Sequence, residues 1–143
     1  ARDLIFSDNI EVVFSDKNLE TAVRDALSKL EGLLTRGDLK SLYVLATNRL
    51  EQEAELKNLS GLEHAVNLEN LWIHLTGVSD LRPLAKLTNL TEIALDTHQI
   101  SDISPLANLT NLTDLDLRDN PLSQDSLNVH IPTPRARGVE ITI

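Results

Sequence analysis

A histidine, an aspartate and an arginine recur at one interval in this chain: His74, Asp96 and Arg118 stand 22 residues apart. A His beside a carboxylate is the orienting pair of general-base chemistry. No Ser falls in step with it, and Thr97 belongs to a regular strand pattern, so the trio reads as a surface charge ladder. The same register holds Trp72, Glu92, Asp114, Asp116 and Asp119. These carboxylates could attract a basic partner or hold a hard cation such as Ca²⁺ through oxygen ligands. With no EF-hand loop present, a solvated acidic face without metal is the expectation. Trp72 is the only tryptophan. Its register points it outward, where large aromatics anchor protein contacts; the alternative is cover from the N-terminal segment or a loop at 51–55. His64 and His130 have no partner at ligand spacing and read as ordinary surface or cap residues.

What positions these side chains is repetition. Leu112, Leu115, Leu117, Asn120 and Leu122 satisfy every position of the pattern LxxLxLxxNxL. One period earlier come Leu90, Ile93, Leu95 and Ile100, with His98 in place of Asn; before them come Leu68, Leu71, Ile73 and Val78, with Thr76 there. Leu62, Leu84 and Leu106, then Asp80 and Asp102, then Pro83 and Pro105, keep the same step. In each unit a short strand turns its aliphatic residues inward and the intervening residues outward. Successive strands then form a parallel sheet, which aligns Asn70 with Glu92 and Asp114, Trp72 with Ala94 and Asp116, and Leu75 with Thr97 and Asp119. The return segment Ser101–Leu106 is short and Pro-interrupted, which predicts turns or a 3₁₀ piece. Leu42–Leu45 with Leu56, Leu59 and Leu62 form a degenerate first unit, its loop lengthened around Glu51 to Glu55.

Both ends differ from the repeats. Leu19, Val23, Ala26, Leu27 and Leu30 recur on one helical face, with Asp16 as N-cap and Gly32 as the stop. Thr35-x-x-Asp38 has capping-box form ahead of a short second helix. At the other end Val139, Ile141 and Ile143 alternate with Glu140 and Thr142, predicting a last strand; Pro132 and Pro134 argue against a long helix before it.

The run from Ile100 to Leu122 resembles the internalin-type leucine-rich repeats of bacterial surface proteins. The segments Val12–Leu42, with Phe14-Ser-Asp-Lys-Asn-Leu-Glu-Thr-Ala-Val-Arg-Asp-Ala-Leu27, and Asn120–Ile131 with Arg137–Ile143, are similar to that class's N-terminal cap and closing segment. The resemblance implies an α/β fold: a short right-handed leucine-rich-repeat solenoid with a parallel concave sheet, a helical N-terminal cap and a C-terminal strand cap. It also implies a repeat Asn that bonds adjacent turns, a position held here by Thr76 and His98. The expected division is one self-contained domain over 1–143, with a cap at 12–42, repeats at 43–122 and a cap at 123–143.

Composition narrows the function. The 143 residues, 13 basic against 22 acidic, carry a formal net charge of −9, which disfavours nucleic acid and anionic membranes. There is no cysteine, hence no disulfide, thiolate site or Cys nucleophile. No apolar run approaches a membrane span, and Ala1-Arg2-Asp3 does not open a signal-peptide pattern. Asn58, Asn89, Asn108 and Asn111 match the N-glycosylation sequon, as the repeat consensus itself generates. The resemblance implies a non-enzymatic protein-binding module, extracellular or at the cell surface rather than cytoplasmic. It needs no cofactor, and its partner is a protein, a basic surface suiting the acidic face. Its binding residues are Trp72, His74, Glu92, Asp96, Asp114, Asp116 and Arg118. A structural spacer, or an intracellular subunit docking on an enzyme through the same face, are the alternatives.

The register itself is testable by thermal melts. Leu95→Asp places an unpaired carboxylate in the core at a cost of several kcal/mol, about the whole margin of a small domain. That variant should not fold, whereas Asp96→Ala should stay within about 0.5 kcal/mol of wild type. Equal effects would mean the two faces are reversed.

Overall fold

The structure, a computed structural model, describes residues 7–47, 56–74, 77–96 and 99–143. Helix α1 (Lys17–Leu27) and the single turn α2 (Arg36–Leu39) precede four strands, β1 (Val44–Ala46), β2 (Asn70–Trp72), β3 (Glu92–Ala94) and β4 (Asp114–Asp116). A π-helical turn (Ser126–His130), helix α3 (Pro132–Ala136) and strand β5 (Glu140–Thr142) follow. The strands form one parallel sheet in chain order, so the chain advances one strand per coil and never crosses back. Three-residue 3₁₀ turns at Leu62–His64, Arg82–Leu84 and Ser104–Leu106 make the return side, and Pro83 and Pro105 sit in the first positions of the latter two.

The core is the space between strands and turns. Leu45, Leu71, Ile93 and Leu115 share one inward row across the sheet and are buried, as are Leu84 and Leu106 on the return side. Leu95 is buried and Asp96 part-exposed, as the period predicts.

Side-chain amides close the coils where the short strands do not. Asn67, Asn89 and Asn111 each donate from Nδ2 to a carbonyl of the coil before, at Lys40 (2.8 Å), Val66 (3.1 Å) and Thr88 (2.8 Å). Asn120 makes the bonds that the resemblance implied for the repeat Asn. Its Nδ2 donates to the Leu95 and Leu117 carbonyls at 2.7 and 3.0 Å, and its Oδ1 accepts from the Ile100 N–H at 3.2 Å. Thr76 and His98, with Leu75, Thr97 and the loop at Glu51–Glu55, lie outside the described residues. The recurring Asp acts locally. Asp80 and Asp102 accept from the N–H groups of Arg82 and Ser104, both at 2.9 Å, in Asx turns that start the return segment.

The N-terminal helices pack where expected but stop sooner. Asp16 caps α1 by accepting from the Asn18 N–H at 2.9 Å, and the capping box at Thr35 and Asp38 is complete. Helix α1 ends at Ser28, in the left-handed region at φ 54°, and not at Gly32. Its N–H and that of Lys29 close onto Arg24 and Asp25, while the Arg24 guanidinium donates to the Lys29 and Gly32 carbonyls. The chain has therefore left the helix before Leu30, which is 76% exposed; Ala26 is exposed too, and Leu19, Ala22 and Val23 carry the packing.

Contact with the first coil is specific. The Asp16 carboxylate also accepts from the Lys57 and Asn58 N–H groups at 2.6 and 3.1 Å, and buried Phe14 lies against Gly61. At the other end the buried Ser126 hydroxyl donates to the Ser101 carbonyl at 2.7 Å and accepts from the Ile103 N–H at 3.1 Å, closing the last return segment. The expected last strand is present as β5, preceded by two short helical turns that the pattern did not predict. Ile143, the last apolar residue of that alternation, is 51% exposed.

Gly61 tests the N-terminal contact. It has φ +105°, and a Cβ there would meet Phe14 Cδ1 at 2.5 Å; Gly32 has φ +81° with open space around it. Gly61→Ala should cost about 2–4 kcal/mol in urea unfolding, through strain and overpacking together, and Gly32→Ala about 1. Equal losses would show that backbone strain alone acts at Gly61.

Candidate functional site

Because inward positions are spent on the core, the outward positions of the strands are free to carry chemistry. Pairing assembles them into rows. One row runs Val44, Asn70, Glu92, Asp114, Glu140, and the next runs Ala46, Trp72, Ala94, Asp116, Thr142. Trp72, Glu92, Asp114, Asp116, Glu140 and Thr142 line a shallow hollow of about 250 Å³ on this face. Trp72 is half-buried by its neighbours and keeps an open side in the hollow.

The trio His74, Asp96 and Arg118 is divided. His74 Nδ1 contacts Asp96 Oδ1, with the histidine side chain 43% exposed. Arg118 turns instead to its own strand, donating from Nε and Nη2 to the two Asp116 oxygens at 2.9 and 2.8 Å. That two-pronged bond outweighs partial burial and holds the Asp116 carboxyl below its usual range, as it holds the Arg118 guanidinium above its own. Among the described residues no hydroxyl or thiol is bonded to the His74 ring, and the His–Asp contact is a part-exposed surface pair. Among them, too, no group of three or more His, Cys, Asp or Glu is placed to hold a metal ion.

Four members of the face were not anticipated: Val44, Ala46, Glu140 and Thr142. The alternation at the end of the chain already put Glu140 opposite Ile141. Its row was hidden because it pairs with Asp114, 26 residues away (140 − 114), four beyond the period; Val44 and Asn70 are also 26 apart (70 − 44).

The leucine-rich-repeat family, in a form comprising two repeat copies, matches residues 66–108. An internalin, InlF, from Listeria monocytogenes superposes with a TM-score of 0.80 at 28% identity, over 94% of this chain and 38% of its own. The chain is an internalin-type leucine-rich-repeat solenoid. The CBM51-2 and INT domains of Clostridium perfringens ZmpB match at 30% identity and TM-score 0.56, over 76% of this chain and 20% of theirs. Listeria monocytogenes internalin C2 shares the fold at 22% identity and TM-score 0.51, over 92% of this chain and 93% of its own. Among curated proteins none matches significantly. This internalin-type chain thus spans well under half the length of InlF and of the ZmpB structure. Its fold is a protein-interaction scaffold, and no helix among the described residues is long and apolar enough to cross a membrane.

The paired carboxylates set a pH response. Asp116 is lowered by the Arg118 bond, Asp80 by Arg82, and Asp102 by the Ser104 N–H, all below the usual 3.8. A carboxyl lowered on folding stabilises the fold above its unfolded value, and that stabilisation is lost as pH falls through the folded value. The gap in Tm between wild type and Asp80→Asn/Asp116→Asn should be constant above about pH 5 and should narrow below 3.8. A gap that widened in acid would reverse the assignment.

Proposed function

We propose that this chain is a protein-binding module of a bacterium, working outside the cell or at its surface, which seats its partner on the outward face of the sheet. The contact is centred on Trp72, His74, Glu92, Asp96, Asp114, Asp116 and Arg118. One observation carries the reading: the outward face gathers the only tryptophan, a His–Asp pair, an Asp–Arg pair and further carboxylates around one hollow, whereas the inward face is uniformly aliphatic. The extracellular setting is supported by the resemblance to repeats of bacterial surface proteins and by the likeness to InlF. A net charge of −9 supports a basic partner and disfavours nucleic acid. The division into a helical cap at 12–42, repeats at 43–122 and a closing segment at 123–143 goes with this reading, the two ends serving to cover the core.

Binding kinetics against a partner recovered from the native source test the proposal. Trp72→Ala should mainly speed dissociation, since losing a desolvated anchor acts on the off-rate. Association of the wild type should slow as salt rises, because exposed charges are screened beyond about 8 Å at physiological ionic strength. Unchanged rates for a folded Trp72→Ala variant would move the contact off this face.

A further inference from the structure

The charges of the outward face are of two kinds. Asp116 is paired with the Arg118 guanidinium, and Asp96 has a contact within the chain at the His74 ring. Glu92, Asp114 and Glu140 occupy three consecutive rungs of one row, and among the described residues no cation lies within ion-pair distance of any of them; the Asp114 carboxylate only accepts from Thr113 Oγ1 at 3.1 Å. Like charges on adjacent rungs, about 4.8 Å apart, work against the fold. Towards β1 the same face changes character, with Val44 42% exposed beside Ala46 and half-buried Trp72.

Resting on the reading above, we propose that the face is polarised. It takes an extended segment of a partner protein, seating an aliphatic or aromatic side chain at Val44, Ala46 and Trp72 and directing Lys or Arg side chains at Glu92, Asp114 and Glu140. Charge complementarity picks the basic end, and the exposed apolar positions pick the other. The hollow, about 250 Å³, accepts one or two side chains and is too small to seat a helix, which is about 10–12 Å across. Spacing agrees. From β2 to β5 is three rungs, about 14 Å, and four residues of extended chain cover about 13 Å with alternate side chains facing the sheet.

The probe is the peptide acetyl-Leu-Ser-Lys-Ser-Lys-amide, titrated into ¹⁵N-labelled protein at low salt with backbone and indole shifts as the readout. Two relatives serve as comparisons, one with Leu replaced by Ser and one with both Lys replaced by Glu. Shifts should appear at the Trp72 indole and along β3 to β5, and both comparison peptides should bind more weakly. Asp114→Asn/Glu140→Gln should weaken the first peptide about fivefold, the effect of two exposed ion pairs. Glu31→Gln/Asp125→Asn, which removes the same charge elsewhere on the surface, should leave the affinity within about twofold. Equal weakening by the two double variants would replace the row by the general field of the protein and overturn the proposal. So would equal binding of the Leu and Ser peptides, or no shift with any peptide, and each of these leaves the face open to a partner of other chemistry. Shifts confined to the return side or to α1 would overturn the broader reading as well.

Discussion

A single coil of this chain cannot bury its own aliphatic row. Leu71 has neighbours only because Leu45 and Ile93 stand one rung to either side, and every other inward position depends in the same way on the coil before and after. This dependence makes the period strict. A slip of one residue would carry Ile93 to the outside and turn the carboxylate of Glu92 inward, so each unit must return to the same register. It also leaves two ends with no next coil. Phe14, Leu19 and Val23 cover one and Ile131 and Val139 approach the other, all buried.

Short strands impose a second demand. Three residues per strand satisfy few backbone groups, yet buried N–H and C=O groups must find partners. The repeat meets this with side chains placed once per coil: an amide at Asn67, Asn89 and Asn111, a carboxylate at Asp80 and Asp102, and Asn120 near the last turn. Where repetition ends, Ser126 supplies hydroxyl bonds to Ser101 and Ile103. The polar consensus is therefore as much a part of the coil as the leucines.

What could be read from residues alone follows the same division. Leu95 inside and Asp96 outside were legible because one period governs both, and so was the alignment of Asn70, Glu92 and Asp114. Rows joining Val44 and Glu140 were not, since both terminal steps are longer than the period. Leu30 was misplaced because the helical spacing continued past the backbone's turn at Ser28, a turn held by Arg24 that no periodicity records. Asn89 and Asn111 match a sequon that the repeat consensus generates, and the role their amides play in bridging coils is one that the sequence pattern did not reveal. Arg118 shared a register with Asp96 but bonds Asp116 two residues back, because outward side chains at i and i+2 on a strand share a face.

The outward face stands apart from these constraints. Its residues are part-exposed and lie apart from the inward aliphatic rows, so one set of side chains on each strand specifies the fold and, on the reading proposed above, the other set specifies the partner. Likeness to InlF at 28% identity accordingly speaks for the inward rows and the turns. On the reading proposed above, the partner is selected by what the strands present outward. There the chain pairs Asp116 with the Arg118 guanidinium, sets Asp96 against the His74 ring and leaves Glu92, Asp114 and Glu140, on adjacent rungs, without an ion-pair partner among the described residues. Like-charge rungs oppose folding by a fraction of a kcal/mol each, on the order of 0.2–1, an amount that the buried aliphatic rows exceed many times over. A solenoid can therefore hold an unfavourable row at small cost, and on the proposed reading that row becomes favourable when a partner's Lys or Arg side chains reach it.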